Sequence, residues 1–84
     1  MPLKLYVKYV SVVRDQVGKD QEVIVLDKEK ATLRELLQLL YEKYRMEESP
    51  VEELLVLVNG KRLDPDEYLP DESQIIIAPP VSGG

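Results

Sequence analysis

The chain has 84 residues, room for one compact domain and no more. It contains neither cysteine nor histidine, which excludes disulfides, thiolate zinc sites and a thiol nucleophile, and removes the side chain best suited to proton transfer near neutral pH. A formal net charge of −5 disfavours nucleic acid as a partner and suits a protein with a basic groove.

Hydrophobic residues make up 44% of the chain, enough to exclude a disordered polymer. The longest apolar stretches, residues 54–58 and 75–80, fall far short of the roughly 20 residues a membrane-spanning helix needs. No basic, apolar, small-residue leader opens the sequence, so a cytoplasmic address and no membrane partner are expected. Chemistry by paired carboxylates would need a cleft that so small a domain rarely builds. The composition therefore argues against an enzyme acting alone.

Residues 3–10 alternate, with Leu3, Leu5 and Val7 on one side and Lys4, Tyr6 and Lys8 on the other, the period of a strand with one buried face. Ser11 is placed to cap a short helical turn that packs through Val13 and Val17, and Gly18 suits its exit. Across residues 21–26, Val23 and Val25 alternate with Glu22 and Ile24, which reads as a second strand. Thr32 then stands three residues before Glu35, a capping box. Leu33, Leu36, Leu37, Leu40 and Tyr44 follow at helical spacing and line one face, and the helix is expected to end near Met46, ahead of Pro50.

Residues 47–53 form a polar, acidic connection, and residues 54–58 a short strand. Asn59-Gly60 is the best hairpin turn in the sequence, with a short return strand over residues 61–63. Pro65, Asp66, Pro70 and Asp71 punctuate a loop, and residues 74–78 form the last strand. One amphipathic helix among five strands must bury its leucines on a sheet. The order predicts an α+β fold, a β-grasp roll with a mixed four- to five-stranded sheet over residues 1–78, followed by an extended tail over residues 79–84.

That tail reads Pro79-Pro80-Val81-Ser82-Gly83-Gly84. Tandem prolines forbid a continued sheet and favour a stiff, extended path. The two glycines carry no side chain, so their backbone fits a channel too narrow for other residues. From Pro79 onward, six extended residues span about 20 Å, enough to reach into another protein's active site. The bland alternative is a frayed terminus.

Val13-Arg14-Asp15-Gln16-Val17-Gly18, Val58-Asn59-Gly60 and Ile77-Ala78 leading into the tail together resemble the MoaD/ThiS family of ubiquitin-like sulfur carriers. The resemblance is nearer to the small subunit of molybdopterin synthase than to the thiamine carriers, which are shorter and usually lack Pro-Pro. Ser82 replaces the threonine usual in the closest bacterial relatives, keeping the hydroxyl and losing the methyl.

The resemblance implies that Gly84 is the reacting residue. An adenylating enzyme of the ubiquitin-activating type (MoeB-like) would use ATP to activate its carboxylate, and a sulfur donor protein would convert it to a thiocarboxylate. The large synthase subunit (MoaE-like) would then take the sulfur into the dithiolene of molybdopterin, serving molybdenum cofactor biosynthesis. The chain itself would bind no cofactor stably. Pro79, Pro80, Val81, Ser82 and Gly83 would insert into the partner. Alternation of the last strand in this family would send Ile75 and Ile77 to the core and turn Ile76 and Ala78 outward beside Leu55, Leu57 and Arg62 as the partner interface. Core packing is the competing reading for Leu55 and Leu57. Carriers that are also conjugated to lysines share similar tails, so a protein-modifier role stays open, as does another sulfur pathway.

Other features read as structural. Glu47, Glu48, Glu52 and Glu53 match no calcium loop, so no metal site is expected there. Asp64, Asp66, Glu67, Asp71 and Glu72 suit turns around Pro65 and Pro70. Tyr6, Tyr9, Tyr41, Tyr44 and Tyr68 suit the edges of the core.

Overall fold

The computed structural model describes residues 2–45 and 54–79. In chain order these form β1 (Leu3–Tyr9), α1 (Val12–Val17), β2 (Gln21–Leu26), α2 (Leu33–Tyr44), β3 (Leu55–Val58), β4 (Lys61–Arg62) and β5 (Ser73–Ala78). The strands make one sheet in the order β2-β1-β5-β3-β4, with β1 and β5 parallel and the other pairs antiparallel. This is the mixed five-stranded sheet with one main helix of a ubiquitin-like β-grasp domain. The acidic connection around Glu47, Glu48, Glu52 and Glu53, and Pro80, Val81, Ser82, Gly83 and Gly84, lie outside the described residues.

Periodicity explains the layering. Leu5 and Val7 of β1, Val56 and Val58 of β3, and Ile75 and Ile77 of β5 point to one side of the sheet, where Leu33, Leu36, Leu37 and Leu40 of α2 complete the core. Thr32 caps α2 with its hydroxyl, accepting from the Glu35 amide at 3.1 Å. The reciprocal half of the capping box is replaced by another contact, since the Glu35 carboxylate accepts from Lys28 Nζ at 3.4 Å. Arg45 closes α2 in the left-handed region, one residue short of the expected Met46.

Several local expectations are refined. Ser11 holds the N-cap position of α1 at φ 60° without a side-chain cap bond, because its backbone turns sharply out of β1. Val13, Val17 and the left-handed Gly18 behave as expected. In β2 it is Ile24 that is buried, while Val23 and Val25 face outward, because pairing with β1 sets Ile24 opposite Leu5 and Val23 opposite Tyr6. Asn59 and Gly60 both have positive φ, 52° and 83°, the backbone of a tight hairpin turn whose twist matches the strands.

The loop acids do serve turns. An Asp64 carboxylate oxygen accepts from the Asp66 amide at 2.9 Å, and an Asp71 oxygen accepts from the amides of Lys4 and Glu72 at 2.8 and 3.0 Å. Tyr9 departs from the core-edge reading. It lies wholly inside, at 2% exposure, while Tyr68 is largely exposed.

Candidate functional site

The chain's last strand is the middle of the sheet. β5 is bonded to β1 on one side and to β3 on the other, through to Ala78 opposite Leu55. Val10 adds a bond from its amide to the Ile77 carbonyl at 3.1 Å. Half-buried Pro79 follows and has no amide hydrogen to continue the ladder. The root of the tail is therefore held on both flanks by the centre of the sheet.

Beside that root lies the side of the sheet away from α2. Ile76 is opposite Lys8 of β1 on one flank and Leu57 of β3 on the other, and Leu57 is opposite Arg62 of β4. Lys8, Ile76, Leu57 and Arg62 thus form one row across four strands. Leu55 and Ala78 form the next row toward the tail. All five residues expected at the interface, Leu55, Leu57, Arg62, Ile76 and Ala78, share this face. Leu55 and Leu57 are half-buried there, and the core positions of β3 are Val56 and Val58 instead.

In the other direction Tyr6 and Val23 extend the face, and with Gln74 and the Asn59-Gly60 turn they line an open concavity of roughly 750 Å³. Asn59 buttresses it. Its side-chain oxygen accepts from the Gln74 amide at 2.9 Å, and its own amide donates to the Gln74 carbonyl at 2.8 Å. Sequence reasoning did not assign Lys8, Tyr6 or Val23 to the site. Alternation turned Lys8 and Tyr6 outward, but their contact with Ile76 and Gln74 depends on β5, more than 60 residues further on.

A second polar cluster sits inside the same end of the domain. Glu22 of β2 accepts on one carboxylate oxygen from the hydroxyl of Tyr9 at 2.6 Å and from the hydroxyl of Tyr44. Its other oxygen lies 3.6 Å from Lys19 Nζ and 3.7 Å from Lys43 Nζ. Partial burial alone would push this carboxyl up, but the two phenols and the two ammonium groups outweigh it and hold Glu22 below its ordinary value of 4.5. Burial, reinforced by the hydrogen bond to Glu22, pushes the Tyr9 phenol far up. With its lone pairs occupied and its charge stabilised, Glu22 is a poor general base. Its role is to clamp the end of α2 to β1 and β2.

Among the described residues no group of three or more His, Cys, Asp or Glu side chains is arranged to hold a metal, and no helix is long and apolar enough to cross a membrane. What the geometry offers is a rigid ubiquitin-like body with an exposed sheet face, and a central strand that ends at Ala78 on that face.

The chain belongs to the ThiS family, whose model matches residues 7–84. It is thus one of the ThiS- and MoaD-type sulfur carriers and related ubiquitin-like modifiers. A solved structure described as molybdopterin converting factor, subunit 1, from Pyrococcus furiosus is similar at a TM-score of 0.79 and 29% identity, covering 94% of this chain and 99% of that one. The HVO 2177 protein of Haloferax volcanii is similar at 0.79 and 25% identity, covering 99% and 88%. The small archaeal modifier protein 1 of Methanosarcina acetivorans is similar at 0.72 and 25% identity, covering 100% and 99%. No curated protein sequence matches significantly.

Proposed function

We propose that the chain carries sulfur on Gly84 as a thiocarboxylate and serves as the small subunit of a molybdopterin synthase. The observation that carries this reading is the family match extending through residue 84, directly beyond a central strand that ends at Ala78. Likeness to the molybdopterin converting factor subunit favours this pathway over the other sulfur carriers.

The chemistry needs a free carboxylate on Gly84. That group is a poor electrophile, because its charge repels nucleophiles. One of its oxygens attacks the α-phosphorus of ATP on the adenylating enzyme and pyrophosphate leaves. A persulfide on the sulfur donor displaces AMP to give an acyl disulfide. A second thiol then cleaves the S–S bond, leaving the thiocarboxylate on Gly84 and a disulfide on the donor. The large subunit supplies the site where that sulfur is transferred. Gly83 lets the terminus approach, and Pro79, Pro80, Val81 and Ser82 fill the entry path.

The likeness to a small archaeal modifier protein supports a second reading, in which activated Gly84 is joined to lysine amines of other proteins. Intact mass separates the two. With an adenylating enzyme, ATP and a persulfide donor, exchange of one oxygen for sulfur is expected, while ladders of conjugates in cell extract favour the modifier. Deleting Gly84, or adding one residue after it, abolishes both products. Retained activity in either variant overturns the proposal.

A further inference from the structure

The two edges of the sheet are finished differently. β4 closes one edge with only Lys61 and Arg62, both charged and exposed, a short and charged ending that resists further pairing. β2 forms the other edge over Gln21–Leu26, and among the described residues no strand pairs with its far side. That segment holds no proline, glycine, lysine or arginine. Its one charge, Glu22, is turned inward, where the hydroxyls of Tyr9 and Tyr44 and the ammonium groups of Lys19 and Lys43 already balance it. The longer edge is the unguarded one.

The ladder to β1 shows which backbone groups that edge presents. The Tyr9 amide donates to the Asp20 carbonyl at 2.7 Å, and the register runs without a bulge from Lys8–Gln21 to Leu3–Leu26. Antiparallel alternation therefore turns the amides and carbonyls of Glu22, Ile24 and Leu26 toward β1. Those of Gln21, Val23 and Val25 point outward along the edge. Val23 and Val25 also carry exposed apolar side chains, at 52% and 60%. Against α2, Ile24, Leu26 and the 40% exposed Leu39 line an open groove of about 510 Å³ along the same edge.

We propose that β2 pairs antiparallel with β2 of a second copy of this chain, joining two sheets into one across a two-fold axis at Ile24. The charges flanking the strand select this occupant. In that register Val23 faces Val25 of the second copy, Asp20 faces Lys28, and Lys19 faces Glu29. Each of these charges meets its opposite, Asp27 meets the neutral Gln21, and the axis makes every contact twice. Sliding one strand by two residues sets Val25 against Gln21 or Val23 against Asp27 instead. Within one copy Asp20 and Lys28 lie 3.6 and 3.4 Å from Arg14 and Glu35, exposed contacts that exchange at little cost. β5 and β3 take no part, so the root of the tail keeps both its neighbours and the inference is independent of the carrier reading. One pair of short strands buries little area, so the dimer is weak and concentration-dependent.

The test is sedimentation velocity on the full chain from about 10 µM to about 1 mM, where the mass is expected to rise from 9.6 kDa toward twice that value. Over the same range hydrogen exchange at the Val23 and Val25 amides is expected to slow about fivefold, while the Ile24 amide, bonded to β1, is slow throughout. Val25→Pro removes an amide aimed at the edge and none that β1 uses, and is expected to abolish association. Val25→Lys keeps every amide, guards against a folding defect, and is expected to weaken association about tenfold. Asp20→Lys reduces the net negative charge, yet it sets lysine against Lys28 and is expected to weaken the dimer about fivefold. Adding Lys28→Asp is expected to restore it to within about twofold. A chain that stays monomeric to about 1 mM overturns the proposal. So does mass that climbs past the dimer, association that survives both Val25 variants, or a paired exchange that fails to restore it.

Discussion

The two sides of the sheet are built from the same strands by the same alternation, yet they do different work. On the inner side every strand residue but Glu22, Lys61 and Ser73 is apolar, and α2 seals the layer with leucines at or near zero exposure. On the outer side the apolar residues are interleaved with lysine, glutamine, tyrosine and arginine, and among the described residues no element covers them. One side holds the domain together and the other carries the residues expected at a partner interface. Residue parity along a strand thus separates the positions that build the core from those left free of it.

The comparison is tested hardest on the inner side. Leu37→Ala, at a fully buried position of α2, is expected to cost about 3–4 kcal/mol in urea unfolding. A loss below about 1 kcal/mol would mean that the helix layer is not the core.

A smaller effect is expected where a polar group sits on the inner side. Glu22→Gln keeps the shape of the hub and removes its charge, costing about 1–2 kcal/mol at pH 7. The sign of the pH dependence follows from the depressed carboxyl. Its contribution is complete above the ordinary value of 4.5 and is lost as pH falls through the lower folded-state value. The gap between native and variant should narrow when unfolding is measured below pH 4.5. A gap that widens on acidification contradicts the clamp.

The smallest change belongs to the outer side. Lys8→Glu/Arg62→Glu should alter unfolding stability by no more than about 0.5 kcal/mol, since neither side chain is ion-paired among the described residues. Were it to destabilise as much as Glu22→Gln, the two sides would not be separable.

Much of this arrangement was readable from local pattern. Leu33, Leu36, Leu37 and Leu40 recur at the helical repeat, and Thr32 stands where a cap must. Asn59-Gly60 supplies two positive φ angles, and Ile75 and Ile77 alternate against Ile76. Each of these signals acts within about four residues, the range over which backbone geometry and side-chain direction are set by the chain itself. The chemistry proposed for the tail likewise rests on Pro79-Pro80 and Gly83-Gly84, on residue type rather than on packing.

What sequence reading left open was decided across long separations. Val23 and Val25 looked as fit for the core as Ile24, until pairing with β1 turned them outward. Tyr9 and Tyr44 became partners of Glu22 only when β1, β2 and the end of α2 met. The row joining Lys8, Ile76, Leu57 and Arg62 exists because β5, last in the chain, inserts between β1 and β3. Alternation states which residues share a side of one strand. It says nothing of which strands are neighbours, and so the sign of charge on the outer face, unlike the net charge, is a property of the fold.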